Sequence, residues 1–152
     1  MITGVRIALD VGSVRIGVAK CDAEGLLAIP LTTISAGPEA VNQVLDLLME
    51  HQAICVYIGK PISLAGKDTA STQSAIEFAG EVASKLKDSD TQVRLIDERL
   101  STVSAQRGMH EAGRNVKQSR DAIDQAAAVV ILEHALASER NSGSLVGEVV
   151  NL

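Results

Sequence analysis

Two apolar runs near the start of the chain lie only a few residues apart, and that spacing fixes the centre of any fold it can adopt. Residues 5–10 (Val-Arg-Ile-Ala-Leu-Asp) and residues 14–20 (Val-Arg-Ile-Gly-Val-Ala-Lys) both read as strands. The turn Asp10-Val11-Gly12-Ser13 is too short for a crossover, so the two must pair as an antiparallel hairpin. A second turn, Asp22-Ala23-Glu24-Gly25, leads to a third strand over 26–34, which Pro30 either weakens or places at an edge. The apolar period then changes. After Pro38, Val41, Val44, Leu45 and Leu48 recur at helical spacing. Residues 53–58 are apolar and rich in β-branched side chains, as in a strand covered on both faces. A helix is expected over 69–86 and a strand over 93–96. Ser101 or Thr102 can cap a further helix ending near Gly113, and Ser119 a last one reaching about Ala137. Asn141-Ser142-Gly143-Ser144 reads as a loose tail. The order β-β-β-α-β-α-β-α-α predicts an α/β fold. Its mixed five-stranded sheet has three hairpin-linked antiparallel strands and two parallel ones, with helices on its flanks. One domain over 1–138 and a C-terminal tail over 139–152 are expected.

That order decides where the acidic residues go. Asp10 ends the first strand, and Asp97 and Glu98 end the fifth. If those strands are parallel, their acids emerge at the same end of the sheet, where α/β folds open a crevice. Asp124 interrupts Ala122-Ile123-Asp124-Gln125-Ala126-Ala127, and Ala127 and Ile131 share its helical face, so it should point at the sheet. Burying a carboxylate is costly without compensation, and several converging carboxylates are commonly reconciled by a shared cation. Side chains alternate along a strand, so one of Asp97 and Glu98 should face the crevice; the longer arm favours Glu98. Asp121 offers a fourth ligand or a favourable charge near a helix N-terminus. The structural alternative for Asp124 is an ion pair with Arg120. Oxygen ligands of this kind suit Mg2+ or Mn2+ and metal-assisted phosphoryl chemistry. Gly12 and Ser13, just after Asp10, would let backbone approach a phosphate, and Lys60 in Gly59-Lys60-Pro61 lies one strand away.

Charge distribution points to the partner. The chain is acidic overall, at −5, yet residues 99–120 carry Arg99, Arg107, Arg114, Lys117 and Arg120 against Glu111 alone. Such a basic stretch on an acidic body reads as a local surface for a nucleic-acid backbone, or as a solvated helix face. Aromatic residues are limited to Tyr57 and Phe78, which argues against single-strand binding by base stacking. Cys21 and Cys55 have no metal or redox spacing and read as buried thiols. His51, His110 and His134 share no ligand spacing. No signal peptide or membrane-length apolar run is evident, so a soluble, cytoplasmic protein with no membrane partner is expected.

Ala8-Leu9-Asp10-Val11-Gly12-Ser13-Val14-Arg15-Ile16-Gly17-Val18-Ala19 resembles the opening motif of the YqgF/RuvX family of Holliday-junction-resolvase-like proteins. The resemblance continues through Ile58-Gly59-Lys60-Pro61, Asp97-Glu98-Arg99-Leu100-Ser101-Thr102 and Ala122-Ile123-Asp124-Gln125-Ala126-Ala127-Ala128, covering most of the chain in order. It implies an RNase H-like fold and a divalent-metal nuclease with Asp10, Glu98 and Asp124 as the acidic site. It further implies processing of the 5′ end of pre-16S ribosomal RNA or resolution of four-way DNA junctions. Structured RNA is the favoured partner over DNA, with ribosomal precursor particles in view and a monomer or homodimer as the acting form. Gly12, Ser13, Arg15, Lys60, Arg99, Arg107, Arg114 and Lys117 would contact the nucleic acid. The chain departs from the family at Lys60, where a leucine is usual. Two rivals remain at this level: a non-catalytic nucleic-acid-binding factor, and an actin-like phosphotransferase, which needs two such domains to enclose a nucleotide.

Overall fold

The computed structural model describes residues 2–62, 68–98 and 116–150. Its elements are β1 (Arg6–Val11), β2 (Arg15–Cys21), β3 (Ala28–Ser35), α1 (Ala40–Glu50), β4 (Cys55–Lys60), α2 (Ala70–Lys85), β5 (Gln92–Asp97), α3 (Val116–Ser142) and β6 (Glu148–Val149). They build a sheet in the order β3-β2-β1-β4-β5-β6. β1 pairs with β2, and β2 with β3, antiparallel, while β4 and β5 run parallel to β1. The mixed sheet flanked by helices is therefore as the sequence predicts, with one strand more.

Alternation along the strands separates two cores. Ile7, Leu9, Ile16, Val18, Val56, Ile58, Val93 and Leu95 point to one face, where Val44 and Leu48 of α1 and Ala75, Ala79 and Val82 of α2 cover them. Ala8, Ala19, Cys21, Cys55 and Tyr57 point to the other, under Ala128, Ile131, Leu132, Ala135 and Leu136 of α3. Small strand residues on that second face let one long helix sit close to the sheet. α2 starts at a capping box, in which Thr69 accepts from the amide of Thr72 while the Thr72 hydroxyl accepts from that of Thr69.

Three expectations are corrected. Ser119 does not cap a helix, because α3 already runs through it from Val116, with the helix formers Lys117 and Gln118 ahead of it. α3 also continues past Ala137 to Ser142. Glu139 gains a buried partner there: its Oε1 lies 2.6 Å from Arg6 Nη2 and its Oε2 accepts from the Tyr57 hydroxyl at 2.5 Å. Nor are residues 141–144 loose: Asn141 and Ser142 end α3, the Gly143 amide donates to the Glu139 carbonyl at 2.7 Å, and the chain beyond is held too. Gly147, at φ +78°, lets the chain press against Leu95, and β6 pairs antiparallel with β5. The Arg94 guanidinium donates to the carbonyls of Leu145 and Val146 and so holds that turn. The helix expected to end near Gly113, with its Ser101 or Thr102 cap, lies outside the described residues.

Candidate active site

β1, β4 and β5 are parallel, so the carboxyl ends of β1 and β5 open on one side, as their sequence order requires. The strand register then sets up a row. Asp10 on β1 is flanked by Gly17 of β2 and, one residue beyond the Leu9–Ile58 pair, by Gly59 of β4. All three face α3, by alternation from Ala8, Ala19 and Tyr57. Neither glycine can carry a side chain. A Cβ on Gly17 would overlap the carbonyl oxygen of Asp124, and one on Gly59 would stand 2.5 Å from Glu98 Oε2 and 2.6 Å from Ile131 Cδ1. The two glycines therefore clear a trough with Asp10 on its floor, and they let α3 and Glu98 close over it.

Glu98 and Asp97 go to opposite sides. Glu98 is 7% exposed and follows the parity of Ile96 toward α3. The Asp97 side chain is 60% exposed and lies 3.8 Å from Lys60 Nζ. Asp10 and Glu98 share a hydrogen bond, so one of these carboxyls holds a proton. Burial, followed by repulsion from Asp124, pushes Asp10 up to about 6. Burial, followed by the charge of Asp10, pushes Glu98 up to about 8.

Asp124 overhangs this pair from α3 near enough to oppose the ionisation of Asp10, but its own carboxylate is engaged. Arg15 Nε donates to Asp124 Oδ2 at 2.8 Å and lies 3.8 Å from Asp121 Oδ1. The ion pair expected of Asp124 as a structural alternative is thus made by an arginine from β2. Asp121 is half-exposed and, among the described residues, meets the group through Arg15. Lys60 sits between Asp97 and Glu148 Oε2 of β6, 3.4 Å from the latter, and so ties the tail to the strand ends. Gly12 and Ser13 are exposed at the hairpin tip, where the Gly12 amide donates to the Arg15 carbonyl at 2.9 Å. Arg99, Arg107 and Arg114 lie outside the described residues, and Lys117 is described only as part of the α3 backbone. Sequence reasoning did not foresee Arg15 as the partner of Asp124, because no local pattern links residues 109 positions apart.

The chemistry of the donor set suits a divalent ion. Two buried carboxyls that must share a proton are what an ion of +2 charge would relieve, and all donors are hard oxygens. Among the described residues no three acidic, imidazole or thiol groups are gathered closely enough to hold an ion as they stand. The Asp10–Glu98 pair fits; Asp124 completes the set only by leaving Arg15. The pair has a consequence without metal. Both carboxyls are raised, so the folded chain binds more protons than the unfolded chain between about pH 4 and 8, and their stabilisation is lost as pH rises through that window. Thermal melts in chelator are expected to drop by several degrees from pH 5 to pH 8.5, on the order of 2 kcal/mol, and Glu98→Gln should flatten the slope.

Residues 4–138 match the family model described as "RuvX: Holliday junction resolvase". A protein of Clavibacter sepedonicus named "Putative pre-16S rRNA nuclease" is 43% identical over 153 residues, covering 99% of this chain and 93% of that one. One of the same name from Streptomyces avermitilis is 43% identical, covering 98% and 96%. In structure, Thermus thermophilus RuvC in complex with a Holliday junction substrate superposes with a TM-score of 0.59 at 15% identity, over 97% of this chain and 99% of that one. The fowlpox virus Holliday junction resolvase gives 0.52 at 12% identity, over 91% and 99%. At such identities the likeness is one of fold, and the fold is RNase H-like. Among the described residues no helix is long and apolar enough to cross a membrane.

Proposed function

Because the chain belongs to the RuvX (YqgF) family, we propose that it is a nuclease that hydrolyses phosphodiester bonds with Mg2+ or Mn2+. The observation that carries this reading is the buried Asp10–Glu98 pair on a glycine-cleared floor, with Asp124 of α3 near enough to raise Asp10. Asp10 and Glu98 would hold the ion, and Asp124 would join them. When bound, the ion supplies a Lewis acid that activates water and stabilises the leaving oxygen. The chain's own residues do the rest. The charge of the ion would take the place of the proton shared between Asp10 and Glu98. Gly12 and Ser13 keep the hairpin tip free of bulk, so a backbone phosphate can come close. Lys117 and the basic residues Arg99, Arg107 and Arg114 supply sequence-independent affinity for the backbone.

The substrate we assign is precursor ribosomal RNA, cut at the 5′ end of the 16S portion in the cytoplasm, on naked RNA or on precursor particles. The names of the full-length relatives support this choice. A four-way DNA junction is the second reading, favoured by the family's description. It requires two symmetric cuts and hence a dimer, whereas trimming RNA suits a monomer. A cleavage panel separates the readings: precursor ribosomal RNA, single-stranded RNA and a four-way DNA junction, each with Mg2+, Mn2+ or EDTA. Cleavage of the precursor RNA that stops in EDTA is the expected result. Binding without cleavage under every condition would leave a non-catalytic factor.

A further inference from the structure

Asp124 has two claimants. Its backbone is packed against Gly17, whose missing Cβ leaves room for the Asp124 carbonyl. What can change is the partner of its carboxylate, and that partner is now Arg15, at 2.8 Å. Arg15 is the first residue of β2 and shares the α3 side of the sheet with Gly17 and Asp10. Its side chain is 29% exposed, so it has a solvent-side direction in which to swing. Asp121 stands 3.8 Å from Arg15 Nε, which gives the guanidinium a second carboxylate on the same helix. A cation already lies at the edge of the acidic group, and it belongs to the chain.

Resting on the reading that Asp10, Glu98 and Asp124 hold a divalent ion, we propose that Arg15 is a built-in counter-ion that competes with that ion for Asp124. Entry of the ion breaks the Arg15–Asp124 hydrogen bond and transfers the Asp124 oxygen from guanidinium to metal. Arg15 keeps its charge and moves to Asp121 or outward. There its planar fork meets the trough rim, where a substrate phosphate would arrive. Arg15 thus occupies the Asp124 carboxylate while no ion is bound, and α3 itself keeps Asp124 on the sheet side. A purely structural arginine would have the opposite effect on affinity, since its loss would leave Asp124 misplaced and weaken ion binding.

Mn2+ binding to the full chain, measured by calorimetry, decides the matter. Arg15→Gln is expected to bind Mn2+ about tenfold more tightly than the unaltered chain, the effect of deleting one charge-assisted hydrogen bond that the ion must otherwise break. Arg15→Lys, which keeps the charge, should stay within about threefold of the unaltered chain. Equal or weaker Mn2+ binding by Arg15→Gln, with an unchanged circular dichroism spectrum, overturns the proposal. Should Arg15→Gln fail to fold, the Nε–H resonance of Arg15 in the unaltered chain decides. Movement of that signal on Mg2+ titration supports the exchange, and a stationary signal overturns it. The underlying metal reading fails separately, if Asp10→Asn binds Mn2+ as well as the unaltered chain does.

Discussion

Asp10→Asn is expected to cut nucleic-acid cleavage by more than about 10³-fold, or ~4 kcal/mol of transition-state stabilisation, while leaving binding intact. Asp10 is the floor of the trough, and it both bonds to Glu98 and feels the charge of Asp124. Removing its charge takes away the centre of the set. Binding survives because backbone affinity comes from basic residues elsewhere. The fold survives as well, since an asparagine can still bond to Glu98 and removes the repulsion that raises both carboxyls. The chelated variant should therefore melt no lower than the unaltered chain at pH 8. The check is single-turnover cleavage beside a gel-shift titration in EDTA. Undiminished cleavage would remove these carboxylates from the chemistry.

The second large effect lies at the far end of the same helix. Glu139→Ala is expected to destabilise the chain by about 3–5 kcal/mol, lowering the melting temperature by about 10 °C. Arg6 and Glu139 side chains are each 3% exposed. Arg6 also donates to the carbonyls of Gly4 and Ala23, and Tyr57 both donates to Glu139 and accepts from the Val146 amide. Deleting the carboxylate strands a buried guanidinium and a buried phenol together. Urea unfolding of Glu139→Ala beside the double variant Arg6→Met/Glu139→Leu separates this cost from simple loss of packing. The double variant should recover most of the stability, because it buries no unpaired charge. A single variant within about 1 kcal/mol of the unaltered chain would show the pair to be hydrated.

The placement of Asp10 and Glu98 was legible because it depends on periodicity. A three-residue gap forces a hairpin, two helical crossovers force parallel strands, and alternation sends Asp97 and Glu98 to different faces. Asp124 toward the sheet followed from Ala127 and Ile131 in the same way. The misses share another cause. β6 has two residues and no pattern of its own; it forms because Arg94 and Gly147 hold the chain there. Ser138, Glu139 and Arg140 look like solvent residues, and only the buried Arg6 across the sheet makes Glu139 a core position. Arg15 likewise gives no local sign of Asp124. Long-range charge pairing leaves no period in a sequence, so it cannot be read from one.

β6 bears on how copies of the chain can meet. By pairing with Arg94 and Leu95 on the outer side of β5, β6 shields the middle of that strand's row of backbone donors and acceptors from a neighbouring molecule. On the opposite flank, β3 carries Pro30 and a register slip against β2 at Val18 and Ala19, which make it a poor template. The cost of trimming the tail would appear first as precipitation, before any failure of catalysis.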